Sequence, residues 1–61
     1  MTKTERREID RAYLAVNMGQ PDTAARMLSA IHRSARANDT RRAVADAANK
    51  LSLDQHPDYI I

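Results

Sequence analysis

The stretch Met18-Gly19-Gln20-Pro21 constrains this chain more than any other part of it. Gly19 is the only glycine. It stands where one helical apolar pattern stops, and Pro21 stands where the next begins. Glycine adopts the left-handed conformation that ends a helix at little steric cost. Proline fits the first position of a helix, where its missing N–H loses no bond. So short a link sets its two helices antiparallel. The chain is expected to contain a helical hairpin.

The flanking patterns agree. Before the glycine, Thr2 and Glu5 have the spacing of a capping box, in which each side chain satisfies a free backbone N–H of the first turn. Ile9, Ala12, Tyr13 and Val16 then recur at i, i+3, i+4 and i+7, one face of a helix over about 4–18. After the proline, Asp22 and Thr23 suit the positive end of a helix dipole. Ala24, Met27, Leu28, Ile31 and Ala35 form the inner stripe of a second helix, over about 21–37. A third, over about 40–52, carries Val44, Ala47, Ala48 and Leu51 on one side. Asp39 or Thr40 is its expected N-cap. Arg42 with Asp46, and Asp46 with Lys50, are its expected i, i+4 ion pairs. No segment alternates with period two. The expected fold is all-α: a single small three-helix domain over 1–61, a helical hairpin plus a third helix, with an ordered C-terminal tail over 53–61.

Sixty-one residues lie near the lower limit for a self-standing core. The hydrophobic fraction of 43% contains many alanines and no Phe or Trp. A chain of this kind needs a staple, a partner or self-association. It has no cysteine, so neither a disulfide nor a thiolate metal site supplies the staple. No apolar run approaches a membrane span. The charged opening MTKTERREID does not read as a signal peptide. The expectation from these features is a cytosolic protein, away from the membrane.

The closing stretch HPDYII raises a separate point. Tyr59, Ile60 and Ile61 are apolar at a terminus that would otherwise fray. Either they fold back onto the core or they dock on another chain. KLSLDQHPD, Lys50–Asp58, resembles the end of helix II and the HPD loop of J-domain co-chaperones. That resemblance implies contact with an Hsp70 partner through His56, Pro57 and Asp58. It covers a short stretch, and the three residues after Asp58 give the family's next helix no counterpart. HPD is read here as a turn that redirects the tail. AYLAVNMGQPDTAARML resembles the junction of a tetratricopeptide repeat, which implies only the hairpin already described, since no second repeat follows.

Chemistry finds little to work with. His32 and His56 are the only histidines and fall on different elements. Neither HxxxH nor HExxH occurs, and there is no glycine-rich phosphate loop. The expectation is a protein without catalytic residues, cofactor or metal, and not an enzyme. Two binding surfaces stand out instead. Leu14 and Met18 lie far around the first helix from its inner stripe, and a helix apolar on two sides is usually packed on two sides. A symmetric homodimer is the simplest arrangement that covers them. Arg26, Arg33, Arg36, Arg41 and Arg42 crowd residues 26–42 against one acid, Asp39. The leading expectation is a small helical protein that binds another protein, as a homodimer, through Leu14, Met18, the arginines and the Tyr59–Ile61 end. Regulators, inhibitors and accessory factors of bacteria and phages are often this size. The alternative is a nucleic-acid-binding protein using the arginines against phosphates.

Overall fold

The computed structural model describes residues 1–61 as three helices and no strands: α1, Lys3–Asn17; α2, Pro21–Ser34; α3, Asn38–Lys50. Near the starts of α1 and α3, the Thr40 hydroxyl donates to Glu5 Oε1 at 3.3 Å. Toward the other end, the chain just past α3 returns to the start of α2, where His56 Nε2 lies 2.9 Å from Asp22 Oδ1. The two therefore run parallel, with α2 antiparallel to both. The molecule measures 28 × 20 × 16 Å.

Local chemistry explains the boundaries. The capping box forms as expected. Glu5 N–H donates to Thr2 Oγ1 at 3.1 Å, and Thr2 N–H donates to Glu5 Oε1 at 2.8 Å. At the other end of α1, Gly19 has φ +77°. Its N–H bonds Val16 O and that of Gln20 bonds Ala15 O, at 3.0 and 2.8 Å. This is a Schellman closure, which satisfies carbonyls the helix leaves free. The end of α3 repeats it. Ser52 N–H bonds Asn49 O and Leu53 N–H bonds Ala48 O, at 3.1 and 2.7 Å. There the left-handed residue is Ser52, φ +58°, a strained choice for a side chain with a Cβ.

The α2–α3 junction departs from expectation. α2 stops at Ser34 rather than near 37, because Ala35 turns extended with its methyl buried. Arg41 then fixes the link, its Nη2 on Ala35 O and its Nη1 on Asn38 Oδ1, both at 2.9 Å. α3 thus begins at Asn38 behind an Ala37 cap that offers no side-chain bond. Neither Asp39 nor Thr40 is the cap. Asp39 instead accepts from the Met1 ammonium at 2.9 Å and from Thr40 N–H at 2.9 Å. Thr40 is fully buried against α1. Asp46 pairs with Lys50 at 3.2 Å and leaves Arg42 unpaired.

The core lies where α2 meets the other two helices. Leu28, Ile31 and Val44 are its largest fully buried side chains. Around them, Ala12, Ala24, Ala25, Ala47 and Ala48 have almost no exposed surface. Small residues at these crossings let the helix backbones approach closely, which offsets the lack of aromatic bulk.

Candidate functional site

The tail over 53–61 is ordered by two anchors. Leu53 is buried in the core, and Tyr59 packs against it half-buried. Between them the chain makes two turns, His56 N–H to Leu53 O at 2.9 Å and Tyr59 N–H to His56 O at 3.0 Å. The second anchor is Ser29, a buried hydroxyl on α2. It accepts from Ile60 N–H at 2.8 Å and lies 3.1 Å from Asp58 O and 2.8 Å from Ala25 O, between which its single proton is shared. One side chain thus fixes the tail backbone at two points. Only part of the YII end folds back. Ile60 and Ile61 remain 60% and 66% exposed.

The HPD turn is held by hydrogen bonds to the His56 ring. His56 Nδ1 accepts from Asp58 N–H at 3.0 Å, which places the ring proton of the neutral imidazole on Nε2. That nitrogen meets Asp22 Oδ1 at 2.9 Å, at the start of α2. Arg26 Nε lies 3.7 Å from Asp58 Oδ2 and donates to the main-chain carbonyl of Asp22 at 3.3 Å. The fold therefore brings together what the sequence kept apart. Ligand-capable atoms of Asp22, His56 and Asp58 lie within 4.8 Å of one another. Their bonding describes a latch. A cation at Nε2 would displace its proton to Nδ1, and so break the bond from Asp58 N–H that orients the ring.

The five arginines of the expected face stand in different surroundings. Arg26 is tied to the tail and Arg41 to the α2–α3 link. Arg36 lies past the end of α2, beside an open groove of about 370 Å³ lined mainly by Thr2, Glu5, Glu8 and Ser34. Arg33 and Arg42 are exposed and unpaired, on different helices. Of the groove's two acids, Glu5 is already committed. Thr2 N–H, and with smaller effect the Thr2 and Thr40 hydroxyls, hold its carboxyl below the ordinary range against the opposing effect of burial.

Leu14 and Met18 lie on the outer side of α1, 57% and 67% exposed. Their neighbours on that side are cations, with Asp10 the one exposed acid among them. Lys3, Arg6, Arg7 and Arg11 are exposed, and none belongs to an ion pair in the molecule. Counting charge along the sequence hides this surface, because α1 also contains Glu5, Glu8 and Asp10 and is nearly neutral. Helical phase reveals it, since Glu5 and Glu8 turn toward the half-buried side. Searches against protein-family models, curated proteins and solved structures return no match to this chain.

Proposed function

We propose that this chain is a small regulatory module that acts by binding another protein, without a reaction of its own. It would work in the cytosol as a regulator, inhibitor or accessory factor. One observation supports this reading above the rest. Leu14 and Met18 stand more than half exposed on a helix whose opposite side packs on the core through Ile9, Ala12 and, half-buried, Tyr13 and Val16. Removing a large apolar side chain from water is worth roughly 1.5–3 kcal/mol, which the isolated chain forgoes twice on one helix. The homodimer expected from sequence is one way to recover it, and a different protein is the other.

The test is affinity capture from a cell lysate with the tagged chain, with and without nuclease, read by mass spectrometry. A protein retained after nuclease and lost with Leu14→Asp supports the reading. Capture that depends on intact nucleic acid, and that Arg33→Glu with Arg42→Glu abolishes, would replace it with the nucleic-acid reading.

A further inference from the structure

The outer side of α1 has a pattern that narrows the partner. Arg7, Arg11, Leu14 and Met18 are spaced +4, +3 and +4, the a/d rhythm of a coiled-coil seam. At about 100° per residue they fall within roughly 60° of the helix circumference. The seam runs about 16 Å along the helix. Its first half is two unpaired guanidinium groups, and its second half two exposed apolar side chains. Lys3 adds a cation beyond Arg7. Asp10 is the one carboxylate at the edge, and it engages none of them within ion-pair distance.

We infer that this seam docks an amphipathic helix of a partner protein, with apolar residues against Leu14 and Met18 and carboxylates against Arg7 and Arg11. The inference rests on the protein-binding reading above and names its partner's chemistry. Charge complementarity selects the occupant. A second copy of the chain is poorly matched in every register. Parallel pairing sets Arg7 against Arg7 and Arg11 against Arg11, and like charges at seam distance repel. Antiparallel pairing over the full seam lays Leu14 and Met18 on guanidinium groups. Pairing Leu14 with Met18 of the other copy engages only the last turn of each helix and leaves Arg7 and Arg11 without a partner. An acidic amphipathic helix satisfies both halves at once. Its carboxylates meet Arg in the bidentate geometry that guanidinium favours.

The probe is a synthetic helical peptide of about three heptads, with Leu at the seam positions of one half and Glu at those of the other. A control peptide carries Lys in place of each Glu. Each is titrated into the isotope-labelled full chain and followed by amide chemical shifts. The expected result is saturable binding of the Glu peptide, with shifts confined to residues 3–18. Arg7→Glu with Arg11→Glu should weaken it at least about tenfold, Leu14→Asp should weaken it similarly, and the Lys peptide should not bind. All these positions are exposed, so thermal melting should confirm unchanged folding in each variant. Equal binding of both peptides, shifts centred elsewhere, or no binding overturns the inference. So does sedimentation of the free chain as a dimer that Leu14→Asp dissociates, or displacement of the Glu peptide by a DNA duplex at the same amides. A lysate partner retained after nuclease, whose capture survives both the α1 charge reversals and Leu14→Asp, would overturn this inference while leaving protein binding itself intact.

Discussion

The outer side of α1 and the C-terminal tail both show large apolar side chains to solvent, and they do so for different reasons. Ile60 and Ile61 extend from a segment that the fold holds in place. Leu53 and Tyr59 bury against the core, and Ser29 bonds the backbone on either side of Tyr59. Leu14 and Met18 have no such company. The helix beneath them is fixed entirely from its other side, so nothing in the fold requires them to be apolar. Exposed hydrophobic residues next to a structural anchor are accounted for by the anchor. Those on a face with no structural duty are the better sign of a partner.

The comparison breaks first at Leu53. Leu53→Ala should cost about 2–5 kcal/mol, by chemical denaturation, because the side chain is buried at the hinge between α3 and the tail. Leu14→Ala should change stability by no more than about 0.5 kcal/mol. If the two costs are similar, the outer side of α1 is part of the folded core and the functional reading loses its footing.

Ser29→Ala is next. It leaves Ile60 N–H and Asp58 C=O without their protein partner, at a cost of about 1–3 kcal/mol. Hydrogen exchange should accelerate at residues 58–61 and stay unchanged over 7–18. Acceleration throughout would make Ser29 a general core residue rather than the tail's anchor.

Ser52→Gly should act in the opposite direction. Ser52 holds a left-handed conformation, and glycine adopts it without the Cβ penalty. The expected gain is about 0.5–1 kcal/mol, after the extra entropy of glycine in the unfolded chain. A loss would mean that the Ser52 side chain contributes a contact the geometry does not show.

The smallest effects are in pH. Glu5 is held below the ordinary carboxylate range, chiefly by Thr2 N–H. A depressed folded pKa contributes stability above the unfolded value, lost as pH falls through the folded one. Melting temperature should therefore decline modestly between about pH 5 and 3. Glu5→Gln, which can still close a capping box, should flatten that decline. At the tail the sign reverses. Tyr59 is raised by burial and then by Asp54, so its contribution is complete below the ordinary tyrosine range and is lost as pH rises through the folded value. Tyr59→Phe should remove this alkaline loss. It also deletes a buried hydroxyl with no bonding partner.

The hairpin was legible in the sequence because its determinants are local. Thr2, Glu5, Gly19 and Pro21 act within a few residues of themselves, and the structure uses Thr2, Glu5 and Gly19 as caps where the sequence predicts. The second Schellman turn was not legible, since Ser52 gives no sign of a left-handed conformation. The latch depends on pairs 29 to 34 residues apart, which no local pattern specifies. Ser29 could be noticed only as a small polar residue one turn after buried Ala25. Asp39 and Thr40 look like local caps in the sequence for a related reason. Each is instead drawn into a contact with the start of the chain, Asp39 with the Met1 ammonium and Thr40 with Glu5. The seam on α1 was half visible. Leu14 and Met18 announce it, but Arg7 and Arg11 join them only when the charges are counted by helical face.

Hydrogen exchange on the chain, alone and bound to the protein it captures after nuclease treatment, tests the central claim most directly. The account predicts that binding slows exchange along α1, on residues 7–18, and leaves residues 56–61 as they were. Protection over the tail or over the exposed arginines of α2 and α3, with α1 unchanged, would contradict it.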